Sequence, residues 1–466
     1  MSSPGTWVGW EHDMTRTPQT PLVAAARIGG PNEVLTEAQI HAFVADQLAA
    51  VGLEGRSVCV IVPDGTRSCP LPLLLSAVHD ALQGRVTRLT VLIALGTHAA
   101  MSDQALADHL GYPAGALEER YSGVTVRNHE WWDPATFVDV GTISADRIAE
   151  LSDGMLHETA RVRINRAVVD HDVTLIVGPV FPHEVVGISG GNKYLFPGVS
   201  GRELIDLSHW LGALITSAEI IGTTGVTPVR AMINEAASLV PGERYALCVV
   251  TASGRSARAV APDSTWPDTD ETPPADTSVA LRAASFGEPH EAWKAAADVA
   301  AETHVTYLDA PVRRVLSIIP SMYDDIWTGA KGFYKVEPVV TDGGQVVLYA
   351  PHIREISAMH PEIAEIGYHC RDYFVKQWGR FKEYPWGDLA HSTHLAGAGT
   401  YDEVDGERLR VTVTLATAIP EEQVRAANLD YLDPAQVDPD AWEADPDTLV
   451  VRRAGEDLYR LSPEAT

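Results

Sequence analysis

The segment Gly178–Gly198 places reactive side chains and glycines directly after an apolar run, Val173–Val177. A strand that ends in a glycine turn brings bare backbone N–H groups close to a small ligand. The types and the order of these residues therefore indicate a ligand-binding or catalytic role for this segment rather than a purely structural one. Its candidate residues are a histidine, a Ser-Gly-Gly turn and a lysine: His183, Ser189, Gly190, Gly191 and Lys193.

A second polar turn, Asp64-Gly65-Thr66-Arg67, follows the apolar run Val58–Val62. A carboxylate, a hydroxyl and a guanidinium within four residues can hold a ribose diol, a phosphate or a substrate carboxylate. The same residues also fit a helix N-cap beside a surface arginine, and the turn taken alone is more typical of that arrangement.

A third polar turn, Gly96-Thr97-His98, follows the apolar run Leu89–Leu95. A histidine directly after a buried strand can act as a general base, since its ordinary pKa is about 6.5. The alternative is a histidine whose hydrogen bonds are satisfied at a strand end.

Helical patterns lie between or after these runs, at Leu71–Leu82, Ser102–Leu110 and Glu203–Ile221. Short apolar strands that alternate with amphipathic helices predict an α/β protein with a largely parallel sheet. Ligands bind beyond the carboxyl ends of such strands, so we expect the polar turns to meet at one site.

The length of 466 residues predicts more than one domain. We predict an N-terminal catalytic and cofactor-binding domain over 1–285, and a C-terminal α/β domain over 286–466 that completes the substrate site in an interdomain cleft. The division follows a Pro-, Asp- and Thr-rich segment at 261–278, which is typical of a linker. A helix at Pro289–Thr303 and apolar runs such as Val315–Ile319 indicate the second α/β unit.

Net charge, hydropathy and cysteine content indicate which partners and which compartment to expect. The formal net charge of −28 makes nucleic acid a poor partner, because phosphates are repelled by that field. No apolar run approaches the roughly 18 residues of a membrane-spanning helix, and the N-terminus does not resemble a secretory signal. Four scattered cysteines fit a reducing compartment, so we expect a cytoplasmic protein.

Two residues gain meaning from their positions. Lys193 is expected near the start of a helix, where the positive end of the dipole disfavours a cation, so we expect it to be tied to an anion or a covalent adduct. His209 lies on a helical pattern beside Trp210. Taken alone, such a histidine is more typical of an ordinary half-buried residue than of a ligand.

Taken in order, these motifs resemble the lactate racemase family, whose members use a nickel-pincer nucleotide. The similarity continues more weakly after the linker, where Lys331-Gly332 fits the pattern. The matching segments are Asp64-x-Thr66-Arg67, Gly96-Thr97-His98, Asn128-His129, Pro182-His183 through Ser189-Gly190-Gly191-x-Lys193 to Pro197-Gly198, and His209.

The resemblance implies a cofactor: a pyridinium-3-thioamide-5-thiocarboxylate mononucleotide that carries nickel and is covalently attached through Lys193. It implies His209 as the nickel ligand, and Asp64, Thr66, Ser189, Gly190 and Gly191 near the nucleotide. It further implies His98 and His183 as the two acid–base groups, and Arg67 and Lys331 as the residues that hold a substrate carboxylate. Loading would require cofactor-synthesis proteins as partners.

The implied activity is racemisation or epimerisation at C2 of a small-molecule 2-hydroxy acid, by hydride transfer to and from the cofactor. Lactate enzymes carry a glutamine three positions before the lysine, where this chain has Thr328, next to Trp327. The substrate pocket is therefore expected to differ, and His369, His391 and His394 would suit a larger, polyhydroxylated acid such as a sugar acid if they reach the cleft. The same histidines also fit a polar loop.

Two other functions remain open from the sequence. One is a metal-dependent hydrolase or lyase that uses a histidine cluster: His183, His209, His391 and His394. The other is a non-catalytic carrier of the pincer nucleotide, although a carrier would have no need of His98 or Arg67. The sequence leaves the oligomeric state undetermined.

Overall fold

The computed structural model describes residues 24–253 and 279–464, and these form an α/β structure with two main sheets. Its strands, numbered in chain order, are β1 Ala26–Gly29, β2 Ser57–Pro63, β3 Arg88–Ala94, β4 Val124–Asn128, β5 Phe137–Ile143, β6 Ala160–Asn165, β7 Val173–Pro179, β8 Pro182–His183, β9 Gly187–Ile188, β10 Glu243–Ser253, β11 Val279–Gly287, β12 Val305–Leu308, β13 Val312–Ile318, β14 Val340–Ala350, β15 Gly399–Asp402, β16 Gly406–Leu409, β17 Val411–Thr417, β18 Asp430–Tyr431, β19 Thr448–Val451 and β20 Leu458–Leu461.

The helices lie between these strands and cover their faces. They are Glu37–Ala50, Leu71–Leu82, Asp103–Leu110, Leu117–Arg120, Ala145–Leu151, Arg166–Val169, Arg202–Ile215, Ser217–Ile220, Pro228–Ser238, Pro289–His304, Ile326–Gly329, Lys331–Tyr334, Glu362–Ile366, Arg371–Lys376, Trp378–Phe381, Trp386–Ala396, Glu421–Ala426 and Pro439–Glu443. Short 3-10 turns occupy Pro134–Thr136, Gly191–Tyr194, Glu337–Val339 and Pro434–Gln436.

The larger sheet has seven strands in the order β1-β11-β10-β7-β2-β3-β4. The five strands from β10 to β4 are mutually parallel, whereas β11 runs antiparallel to β10 and to β1. The parallel-rich α/β fold predicted from the alternating strands and helices is confirmed. The carboxyl ends of β2, β3 and β7 consequently meet at one edge.

The sheet has a hydrophobic core on each face, and β2 shows why its sequence is continuously apolar. Cys59 and Ile61 belong to one core, while Val58, Val60 and Val62 belong to the other. Because successive side chains point to opposite faces, a strand covered on both sides must be apolar at every position.

Predicted helix bounds are close to those observed. The helix at Leu71–Leu82 has the predicted bounds, and Ser102 caps the next one because its hydroxyl accepts a hydrogen bond from the Ala105 amide at 3.2 Å. The pattern Glu203–Ile221 instead forms two helices, since Thr216 has φ +89° and interrupts the ladder.

The smaller sheet has five parallel strands in the order β18-β17-β14-β13-β19. Its two faces also carry separate cores, with Val346 and Leu348 in one and Val347 in the other. The chain from β12 onward therefore contains a second α/β layer, as the apolar runs predicted.

The predicted division into 1–285 and 286–466 stays a prediction. The helix Pro289–His304 shares a core with the larger sheet through residues such as Trp293, so the layer around that sheet extends beyond residue 285. The predicted linker, 261–278, lies outside the described residues. Across the described ranges, no helix has the length and apolar character required to cross a bilayer.

Candidate active site

A single pocket collects the polar turns at the carboxyl edge of the larger sheet together with segments from the C-terminal part of the chain. We call Asp64–Arg67, Gly96–His98 and His183–Lys193 the strand-end turns. Predicted site residues that line the pocket are Asp64, Thr66, Arg67, His98, His183, Ser189, Gly190, Lys193, His209, Trp327 and Lys331.

Two predicted residues lie elsewhere. The Gly191 amide donates to the Cys248 sulfur, and a side chain at Gly191 would meet Trp293 Cβ at 2.8 Å, so this glycine serves close packing behind the pocket. Thr328 lines an adjoining cavity, and its hydroxyl donates to Asp325 Oδ1 at 2.8 Å in a helix cap.

His98 and Asp64 form a close pair, with 2.5 Å between His98 Nδ1 and Asp64 Oδ2. The other carboxylate oxygen accepts from the Thr66 amide at 3.1 Å and the Thr66 hydroxyl at 2.7 Å. Burial alone would raise the pKa of Asp64, but the charge and hydrogen bond of His98, then Thr66 and Arg67, lower it. Because an ionised carboxylate only accepts, His98 carries a proton on Nδ1 and its Nε2 is a base.

His183 has the opposite arrangement. Its Nδ1 accepts from the Val185 amide at 3.1 Å, so in the neutral ring the proton lies on Nε2. Burial, followed by the charges of Lys193 and Arg67, holds its pKa well below the ordinary value. Glu184 Oε2 lies 3.2 Å from the same Nδ1, so a proton placed there would also have an acceptor.

Arg67 and Lys331 bring positive charge into this acidic protein. Burial opposes ionisation of Arg67, but neighbouring acidic groups, Tyr323, Asp64 and Glu184, raise its pKa. Lys331 Nζ lies 4.7 Å from the centre of the Tyr323 ring, and burial, then Arg67, lowers its pKa to about 7. Two such groups suit a ligand carboxylate.

Lys193 lies in the 3-10 turn Gly191–Tyr194 rather than at the start of an α-helix, which begins only at Arg202. Burial, then Arg67, lowers its pKa to about 7. Its amine has no hydrogen bond or ion pair to any residue in the described ranges. With a pKa of about 7, Lys193 is partly unprotonated at neutral pH, and an unprotonated amine at a pocket wall is a competent nucleophile.

His209 lies on the helix Arg202–Ile215, where its Nδ1 donates to the Ile205 carbonyl at 2.7 Å. That hydrogen bond fixes the tautomer of the neutral ring and leaves the lone pair on Nε2. Burial, then Lys193, lowers its pKa to about 4, so the ring is neutral at physiological pH. A neutral imidazole oriented through its other nitrogen is the usual form of a metal ligand.

The opposite side of the pocket is formed by the C-terminal wall, which we define as Trp327, Lys331, His360, Asp388, His391 and His394. The Trp327 ring lies between two histidine rings, 3.6 Å from His360 and 4.1 Å from His391 between ring centres. Sequence reasoning missed His360 and Asp388, because neither follows a strand. It also missed Glu184, whose position directly after His183 was an available signal.

The wall contains buried polar atoms without a hydrogen-bond partner among the described residues. They are Asp388 Oδ2, His391 Nδ1 and His394 Nε2, all on the helix Trp386–Ala396. His391 Nε2 contacts the Trp327 carbonyl at 3.0 Å, and His394 Nδ1 contacts the Ser217 hydroxyl at 2.5 Å. Burial lowers their pKa values to about 3 and about 4, so both rings are neutral.

Two other histidines lie outside the pocket. His129 is fully buried and contacts the Ser200 carbonyl at 3.3 Å and the Asn165 amide at 3.0 Å, as expected for a packed loop. His369 stacks on Tyr373 at 3.7 Å and pairs with Glu407 at 2.8 Å, so it does not reach the cleft.

The histidines of the hydrolase hypothesis all line the pocket. Within 24–253 and 279–464, however, no three His, Cys, Asp or Glu side chains cluster in a way that would hold a metal ion by themselves. This geometry gives a conventional metal-hydrolase site no support. A metal held mainly by a nucleotide would need fewer protein ligands.

A family model and solved structures of other proteins match this chain. Residues 24–222 match the model of the lactate racemase N-terminal domain. A crystal structure of a protein from Thermotoga maritima is 30% identical, with a TM-score of 0.81, and the match covers 93% of this chain and 100% of that one.

The lactate racemase of Thermoanaerobacterium thermosaccharolyticum is 25% identical over 158 residues, which span 33% of this chain and 32% of the relative. The chain thus matches about a third of that relative's length. The apoprotein structure of a lactate racemase from the same organism has a TM-score of 0.63 at 16% identity, covering 90% of this chain and 93% of that one, which shows a shared fold. Together with the order of motifs around the pocket, the matching domain model and the curated relative show that the chain belongs to the lactate racemase family.

Proposed function

We propose that this protein is a racemase or epimerase that inverts C2 of a 2-hydroxy acid with the help of a nickel-pincer nucleotide. The observation that carries the proposal is the His98–Asp64 pair, which presents a base to the same pocket as the cations Arg67 and Lys331. A carboxylate beside a carbon that bears a hydroxyl is the ligand that these groups would hold together.

The residues present fit the proposed cofactor. Lys193 has an amine without a partner in the described ranges, and its lowered pKa favours the unprotonated form that covalent attachment needs; His209 Nε2 offers a lone pair to nickel. Asp64 and Thr66 would lie near the nucleotide, together with Ser189 and Gly190. When bound, the group supplies a reversible acceptor for the hydrogen and electron pair at C2, which no amino-acid side chain provides.

The protein's own part in the reaction is binding and proton movement. Arg67 and Lys331 hold the carboxylate, and His98 Nε2 takes the hydroxyl proton while Asp64 stabilises the resulting imidazolium. His183 presents an N–H to the substrate oxygen from another direction. Exchange of the two roles requires a proton on His183 Nδ1, for which Glu184 Oε2 at 3.2 Å is the acceptor.

The substrate is larger and more polar than lactate, with a sugar acid as the best candidate. The support is the set of buried polar atoms on Asp388, His391 and His394 that have no hydrogen-bond partner within residues 24–253 and 279–464. An unsatisfied buried polar atom costs about 1–3 kcal/mol, so hydroxyl groups on the substrate chain would restore that loss. Lactate has no hydroxyl beyond C2 with which to do so.

The test uses protein produced together with cofactor-synthesis proteins and single enantiomers of 2-hydroxy acids that carry deuterium at C2. Chiral chromatography should show loss of optical purity, and mass spectrometry should show that the deuterium is retained. Complete exchange with solvent in every turnover would contradict the proposed chemistry. Activity on lactate alone would contradict the polar substrate.

A further inference from the structure

A hydrogen-bonded chain of three side chains joins the C-terminal wall to the turn that carries His98. Asp388 Oδ1 lies 2.9 Å from His360 Nδ1, and His360 Nε2 lies 3.0 Å from the Thr97 hydroxyl. Asp388 is 1% exposed and His360 is 7% exposed, so solvent does not compete for these bonds. We propose that His360, oriented by Asp388, is a positioning residue that holds the Gly96-Thr97-His98 turn in its catalytic arrangement.

The directions of the two hydrogen bonds follow from their donors and acceptors. A carboxylate oxygen only accepts, so the His360 proton lies on Nδ1 and is donated to Asp388. His360 Nε2 then accepts from the Thr97 hydroxyl. The hydroxyl proton of Thr97 is thereby directed at His360 Nε2, and this hydrogen bond restrains the Thr97 side chain.

The turn is otherwise held from the side of the larger sheet. The His98 amide donates to the Leu95 carbonyl at 2.9 Å, and the Gly96 amide donates to the Gly198 carbonyl at 2.9 Å. Trp131 Nε1 donates to the His98 carbonyl at 2.9 Å. The hydrogen bond from Thr97 to His360 adds a restraint from a segment 263 residues away in sequence.

His360 also has a second contact, because its ring stacks on Trp327 with 7° between the planes. A variant of His360 therefore disturbs the wall as well as the turn, and the two effects must be separated. Variants of Thr97 separate the two effects, because Thr97 takes part in the hydrogen bond to His360 but not in the stack of aromatic rings. Threonine to valine removes the hydroxyl at nearly constant shape, and threonine to serine keeps it.

The kinetic arm compares Thr97→Val, Thr97→Ser and His360→Phe. The matched control is His157→Phe, because the exposed His157 pairs with Asp146 outside the pocket. This arm rests on the proposed function. Thr97→Val and His360→Phe should lower kcat by up to about a hundredfold, the cost of a misplaced catalytic group, with little change in KM. Thr97→Ser and the control should retain wild-type kcat, and the double variant Thr97→Val/His360→Phe should be no worse than the poorer single variant.

The spectroscopic arm needs no cofactor or substrate. In protein with 15N-labelled histidine, the ring signals of His98 should shift in Thr97→Val and His360→Phe but not in Thr97→Ser, while the melting temperatures of the Thr97 pair stay alike. Unchanged His98 signals in both disruptive variants would overturn the positioning role, whatever the enzyme catalyses. Shifted signals in a protein that racemises no hydroxy acid would uphold the positioning role and contradict only the proposed function.

Discussion

The strand-end turns and the C-terminal wall face each other across the pocket, and they are built differently. In the turns, the two histidines are bonded to partners that set their tautomers, Asp64 for His98 at 2.5 Å and the Val185 amide for His183 at 3.1 Å. In the wall, rings are stacked and several polar atoms have no partner among the described residues, as at His391. We infer that the turns carry out the reaction, whereas the wall selects the substrate.

The largest effect is expected at the turn that would hold the cofactor. Lys193→Ala should remove all activity, since no amine remains for covalent attachment. Intact-mass measurement should show that an adduct of the nucleotide's mass is lost, and metal analysis should show less bound nickel. The exposed Lys294 provides the control, because Lys294→Ala should keep the adduct. An adduct that persists in Lys193→Ala would break the assignment of chemistry to this turn.

The next effect concerns the His98–Asp64 pair. His98→Gln should lower kcat by roughly a hundredfold to ten-thousandfold, the usual contribution of general acid–base catalysis. Asp64→Asn should lower kcat as well, because an amide can stabilise the wrong tautomer. His157→Gln is the matched control, since His157 pairs with Asp146 at 3.0 Å on the surface. If His98→Gln changes only KM, His98 binds the substrate and does not transfer a proton.

Lys331 belongs to the wall, and its charge makes substrate binding depend on pH. With a pKa of about 7, Lys331 is charged below that pH and neutral above it. The KM for the hydroxy acid should therefore rise as pH increases through neutrality, with a smaller change in kcat. Lys331→Arg keeps the charge throughout this range and should flatten the KM profile. An equally steep profile in Lys331→Arg would assign the pH dependence to another group.

The smallest effect is expected at His391. His391→Phe keeps a ring against Trp327 but removes Nδ1, which has no partner among the described residues. KM for a polyhydroxylated acid should therefore rise by about two- to twelvefold, as for one hydrogen bond. Lactate should be affected less. His369→Phe is the control, because His369 also stacks on an aromatic ring, Tyr373, but lies outside the pocket. Equal increases in KM for lactate and for the polyhydroxylated acid would contradict the inference that the C-terminal wall selects the substrate.

Residues after strands were predictable for a geometric reason. Parallel strands end at one edge, so Asp64, His98 and His183 had to be neighbours once β2, β3 and β7 were recognised. The helix break at Thr216 was not predictable in the same way, because its apolar pattern continues to Ile221. In the structure the break places Ser217 against His394 at 2.5 Å, a contact between residues 177 positions apart.

The sequence by itself determined the α/β fold, the three strand-end turns and the family, since apolar periodicity and motif order are local properties of the chain. Only the tertiary structure decided which residues lie opposite the strand-end turns across the pocket. His360 and Asp388 come from a loop and a helix without a strand-end pattern, and Gly191 and Thr328 turn to packing and capping instead of the pocket. Such choices depend on contacts between distant segments, and these form only when the second layer packs against the first.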